Sequence, residues 1–205
     1  MPLTAVLFTV STGRAETVDR IAVSVGTQVI TENSVVMDVR VSAFLERVPV
    51  IIDATTKRKA ADRLVDQVLI LREAGESHLV LPTTDHAVAI LEQVKAPYGA
   101  AYQAEMTRCG VSEGDVIAQL LAGLKESTFT DLRFRPAVQV TESEMREYYD
   151  GLKARQPGVD APDFESSRTQ IEALLTGQRV LEALDEWLKT ARTAARPNYR
   201  ERVFQ

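Results

Sequence analysis

The 205-residue chain holds a single cysteine and two histidines. One thiol cannot close an internal disulfide, and no Cys or His stands at metal-ligand spacing from another, so neither a disulfide framework nor a zinc site is expected. Cys109 lies at helical spacing from Met106 and Tyr102, which suits a buried apolar role. His78 and His86 flank Pro82 and so do not share a helical face; both read as loop or cap residues. Gly (10) and Pro (8) are too few for a disordered or fibrous chain. Lys and Arg are interspersed with Asp and Glu, with a net charge of −5 and no basic block, which argues against nucleic acid as a partner. No apolar run is long enough to span a bilayer, so stable membrane insertion is not expected. No Gly-x-Gly-x-x-Gly, P-loop or Gly-x-Ser-x-Gly element occurs, and no cofactor is implied.

What is present is a 45% hydrophobic chain able to bury a real core. Leu3–Val10 is a short apolar run followed by the small-residue stretch Ser11–Ala15, which reads as a secretory signal over residues 1–15. The alternative is an apolar strand retained in the mature protein. Ile21–Val25, Gly26-Thr27 and Gln28–Ile30 spell a β-hairpin. Thr31 is a candidate N-cap, with Ile30 and Val35 as its hydrophobic staple, for a helix ending near Val48 before Pro49. That helix is apolar on more than one side and needs partners on two. A second helix spans about Thr55–Gly75, with Lys57, Arg58, Lys59, Arg63 and Arg72 read as a solvated face. A third follows Pro82-Thr83 and is broken at Lys95–Gly99. A short helix then carries Tyr102, Met106 and Cys109 and closes at Gly110.

Ser112 with Asp115 caps a further helix, and Phe129–Phe134 reads as a basic-aromatic link after it. Thr141 with Glu144 is a capping box, with Val140 and Met145 as staple. Lys153–Pro162 reads as a linker. A long final helix is predicted over Asp163–Ala194, stopped by Pro197. The tail Asn198–Phe204 alternates loosely, and the only strands free to pair with it are in the N-terminal hairpin. The two chain ends should therefore meet in a small mixed sheet.

Taken in order, Val25–Asn33, Arg63–Glu73, Leu79–Asp85, Tyr102–Val111, Phe129–Phe134, the Tyr148-Tyr149 helix and Asp163–Ile171 with Trp187 resemble the chaperone core of the SurA-type periplasmic chaperones and their PrsA and PpiD relatives. The resemblance covers nearly the whole chain from about Val18. It implies a mainly α multi-helix domain with a small β-sheet formed by the N-terminal hairpin and the C-terminal strand. Residues 16–152 would form the N-terminal part of the core and 163–205 the helix and strand that complete it. In that family a parvulin isomerase domain stands between the Tyr-Tyr helix and the final helix. Here the interval is Asp150–Pro162, too short to hold one, so no prolyl isomerase activity and no catalytic residues are expected.

The function implied is ATP-independent holding of unfolded, outer-membrane-bound polypeptides in the periplasm. Its requirement is an apolar, aromatic or Met-rich groove with a polar rim. Candidate peptide-binding residues are Phe44, Tyr98, Tyr102, Met106, Leu121, Phe129, Phe134 and Tyr149, each of which an ordinary core role at helical spacing would also explain. Two alternatives stand beside this reading. One is a scaffold that dimerises by exchanging the Thr31–Val48 helix, and the other is a residual prolyl isomerase.

Overall fold

The computed structural model describes residues 19–155 and 163–205. The expected signal and most of the linker therefore lie outside the described residues. Among the described residues the fold is mainly α: seven α-helices and a three-stranded antiparallel sheet. Strands β1 (Ile21–Val25) and β2 (Gln28–Thr31) form the hairpin, with Gly26 at φ +58° in its turn. Strand β3 (Asn198–Tyr199) pairs with β1 on the other side, in the order β2-β1-β3. The chain ends do meet, but in an all-antiparallel sheet. The third strand is only two residues long, because Glu201–Phe204 winds into a 3₁₀ turn that buries Val203 and Phe204 under the sheet.

Helix α1 (Glu32–Glu46) starts at Thr31, whose hydroxyl accepts from the Ser34 amide, and Ile30 and Val35 are buried together. It stops before Pro49 is reached. Arg47 turns left-handed (φ 57°), and the Arg47 and Val48 amides donate back to the Phe44 and Ala43 carbonyls. Both apolar sides of α1 are covered within the chain: Val35 and Val39 face the sheet cluster, Val41 and Phe44 a second cluster. Exchange of α1 between copies is not needed to bury it.

Helix α2 (Ala54–Glu76) is capped by a reciprocal Asp53–Thr56 box that the sequence reading missed. Its small residues Ala60 and Ala61 let it lie close against the sheet, while Ile70 and Ala74 face the opposite cluster. The basic residues expected to form one solvated face do not all do so. Lys57 is buried and donates to the Val203 carbonyl, and Arg63 bonds the carboxylate of Asp38, which is only 3% exposed. Lys57 thus ties the C-terminal turn to α2, and Arg63 ties α1 to α2.

Helix α3 (Thr84–Lys95) opens with Thr83 and His86 capping each other. Helix α4 (Tyr102–Cys109) closes at Gly110 (φ +67°), where a side chain would meet the Arg40 guanidinium that donates to the Gly110 carbonyl. Helix α5 (Glu113–Phe134) carries the expected Ser112–Asp115 box. It does not end before Phe129: the supposed link is helical to Phe134, because Phe129, Thr130 and Phe134 recur on the buried face. Helix α6 (Glu142–Arg155) has the Thr141–Glu144 box and buries Met145 beside Val140. Helix α7 (Phe164–Ala195), capped by Asp163, returns along α6, α5 and α2 to the sheet.

Electrostatics clamps the long-range contacts. Buried Asp38 takes bonds from Arg63 and from Gln119 of α5 (3.3 Å), yet burial outweighs them and raises its pKa. Arg192 of α7 grips Asp66 of α2 (Nε–Oδ1 2.6 Å), and the Tyr199 hydroxyl donates to Asp62 (2.5 Å). Arg179 bonds both the Gln139 carbonyl and Glu144, joining α7 to the start of α6. This Arg179 contact, helped by the Thr141 amide and hydroxyl, lowers the Glu144 pKa to about 2.

Two predictions follow from these clamps. Arg63→Ala leaves the Asp38 carboxylate buried without its cation and should cost about 2–3 kcal/mol at neutral pH. Urea titrations should show that deficit shrinking as acid protonates Asp38, whose pKa burial already raises. For Glu144 the pKa shift has the opposite sign, and the deficit again closes in acid. A depressed carboxyl stabilises the fold above the unfolded pKa, and this stability is lost as pH falls toward about 2. The stability gap between wild type and Arg179→Met should therefore close between about pH 5 and the folded value. A gap independent of pH would refute the clasp.

Candidate functional site

The structure does not bring the eight expected peptide-binding residues into one surface. Phe44, Tyr102 and Met106 are buried in one cluster, and Tyr98 packs on its edge, stacked on the Phe44 ring at 4.7 Å with its hydroxyl donating to the Phe44 carbonyl. Tyr98 is thus held in place by the core rather than offered from a loop. Phe129 and Phe134 belong to a second cluster with Trp187. Tyr149 packs on Phe164 in a third (5.7 Å), and Leu121 is half-buried on α5. In this arrangement Phe44 and Phe129, almost fully buried, are pillars of the fold.

The open surface lies elsewhere, beside the returning helix. Between α5 and α7 runs a trough of about 540 Å³. Gly123, Glu126, Ser127 and Thr130 form its α5 wall, and Gly177, Val180, Leu181 and Leu184 its α7 wall. These positions recur at three and four residues, so each set is one stripe of its helix. The floor is apolar: Val180 and Leu184 are buried, whereas Leu181 stays 59% exposed on the α7 rim. Thr130 is buried with its hydroxyl turned back to the Glu126 carbonyl, which removes a polar group from the floor. Asp131 and Arg135 close the lower rim as an ion pair (2.7 Å).

Two glycines widen the trough. Gly123 and Gly177 sit in helix interiors, where glycine costs roughly 0.5–1 kcal/mol relative to alanine. A β-carbon at either would meet nothing within 4 Å. Packing therefore does not demand them, and their effect is to leave facing gaps in both walls.

Glu126 sits at the junction of the trough with a small apolar dimple lined by Gln67, Ile70 and Leu71 of α2 and by Ala122 and Lys125 of α5. Among the described residues no side chain bonds or ion-pairs with the Glu126 carboxylate. Burial first, then the charge of Asp66, raises its pKa. Asp66, by contrast, is satisfied by Arg192.

Another, smaller depression (about 220 Å³) lies at the α1–α2 corner, where the extended segment 48–52 exposes Val48, Ile51 and Ile52 beside Lys59 and Arg63. Neither histidine lines the trough or this corner. Among the described residues no group of His, Cys, Asp and Glu is placed to hold a metal, and no helix is long and apolar enough to cross a membrane.

Of the trough residues, Thr130 and Asp131 fall within the Phe129–Phe134 segment singled out in the sequence, and Val180, Leu181 and Leu184 on the apolar stripe of the final helix, where Ile171, Leu174 and Leu188 also fall. Gly123, Glu126 and Gly177 escaped the sequence reading. Glycines in the middle of otherwise regular helices were the available signal. No protein-family model, curated protein or solved structure matches the chain.

Gly123→Ala and Gly177→Ala should each raise stability by roughly 0.5–1 kcal/mol, since helix propensity improves and no atom obstructs the new methyl. Thermal or urea unfolding would measure it. Destabilisation by either variant would mean that the space facing Gly123 or Gly177 is closed to a methyl group.

Proposed function

We propose that the protein is a non-catalytic holder of unfolded polypeptides, working in the periplasm without nucleotide on outer-membrane-bound clients. The trough between α5 and α7 is its binding surface. The observation that carries this reading is the exposed Leu181 above an apolar floor opened by two facing helix glycines. A folded domain gains little from leaving such a concavity unfilled, whereas an extended segment laid along it would cover apolar area at about 25 cal/mol per Å². Further apolar side chains extend the surface: Leu174 lies two turns before Leu181 on α7 and is exposed, and Leu71 is exposed beside the dimple. Charged residues rim this surface, which limits self-association while leaving the apolar strip open.

The mechanism is weak multi-point contact, with no bond made or broken. The resemblance of the chain order to the SurA-type chaperone core supports the same reading. So does the path of α7, which runs back across the earlier helices and forms one wall of the trough.

Light scattering of a refolding β-barrel client should fall when the protein is added at near-stoichiometric ratio without nucleotide. Leu181→Asp places a charge over the apolar strip and should weaken that suppression several-fold, in line with about 1–2 kcal/mol of lost apolar contact. Circular dichroism would check that the variant keeps its helices. Unchanged scattering with the wild-type protein would remove the proposal.

A further inference from the structure

We infer that the trough selects polypeptide segments in which a basic residue is flanked by apolar ones, with Glu126 as the acceptor for the incoming cation. This rests on the trough being the binding surface and adds what it would prefer to bind.

Three observations converge on Glu126. The first is position: it lines both the trough and the adjoining dimple, so a ligand filling the two must cross its carboxylate. The second is isolation. A half-buried carboxylate loses hydration, and proteins ordinarily compensate with a cation or hydrogen-bond donors. Here the other carboxylates taken from solvent by packing have theirs, Asp38 from Arg63 and Asp66 from Arg192, while Glu126 has none among the described residues. The third is the surrounding charge. Asp66 faces Glu126 from α2 with its own charge already engaged by Arg192, and Asp131 is taken by Arg135. Lys125, next to Glu126 on α5, is about 100° further around the helix and lines the dimple edge. It contributes no ion pair to Glu126. Among the described residues the one charge that shifts Glu126 is the like charge of Asp66, so the carboxylate is left without a cation of its own.

The complementary ligand has a guanidinium or ammonium between apolar side chains. Arginine suits it best, because its planar fork bonds a carboxylate with two donors and sheds water more readily than lysine. The flanking residues would lie over Leu181 and Val180 on one side and over Leu71 and Ile70 on the other. Partial burial strengthens such a pair relative to one fully in water.

Fluorescence anisotropy with three labelled peptides tests this. They share an apolar host sequence and carry a central arginine, norleucine or glutamate. Wild-type protein should bind the arginine peptide about tenfold more tightly than the norleucine one, and the glutamate peptide more weakly than both. Glu126→Gln, nearly isosteric and placed in an open wall, should erase the arginine preference, so that the arginine and norleucine peptides bind it within about twofold of each other. Gly177→Leu, which fills the trough, and Leu181→Asp should weaken the norleucine peptide in a protein whose helicity is intact. If arginine and norleucine peptides bind wild type equally, or if the preference survives Glu126→Gln, the inference is overturned. In either case loss of norleucine binding in the trough-filling variants would still uphold the trough as the binding surface. If no peptide binds, or if binding ignores Gly177→Leu and Leu181→Asp, the trough reading falls and this inference falls with it.

Discussion

Helix α2 is the element on which the rest of the structure leans. Its alanines at 60 and 61 carry no side-chain bulk, so the sheet made from both chain ends can settle directly onto it. On the same helix, Lys57 holds the C-terminal turn, Asp62 takes the Tyr199 hydroxyl, Asp66 takes Arg192 and Arg63 takes Asp38. Four contacts to residues distant in sequence thus converge on about three turns of helix. Apolar burial supplies the driving force, and the charged pairs select one docking of α1 and α7 among several that burial alone would allow.

From that constraint the trough follows. Arg192 and the C-terminal strand fix one end of α7 against α2 and β1, and Arg179 fixes its middle to the start of α6. Phe129 and Phe134 of α5 are locked against Trp187 on the same stretch. The two helices are therefore spaced by their aromatic contacts, and where both carry glycine the space between them stays open. The aromatic residues hold the walls apart, and the trough itself is lined by aliphatic, small and charged side chains.

Several corrections share a physical origin. Phe129–Phe134 reads as a link because it mixes charged and aromatic residues between two capped helices, yet the helix continues since Phe129, Thr130 and Phe134 fall on one buried face. Lys57 and Arg63 read as solvated because lysine and arginine usually are, but long side chains can run along apolar surface to reach distant acceptors. Tyr98 follows a proline and precedes a glycine, as an exposed loop residue would, and stacking on Phe44 draws it in. In each case a contact remote in sequence overrode a local preference.

Most elements, and the helix starts at Thr31, Ser112 and Thr141, were legible in the chain because their determinants are local. A capping hydroxyl or carboxylate and the amide it serves lie within three residues, as at Thr31, Ser112 and Thr141, and an apolar stripe repeats every three or four. Even the meeting of the two ends could be inferred, since an edge strand must find a partner. The trough could not. It exists only where stripes more than fifty residues apart in sequence face each other, and the isolation of Glu126 depends on which cations other helices bring near and which they have already committed elsewhere. Burial and charge at such a point are sums over the whole packed molecule, so only the tertiary structure decides them.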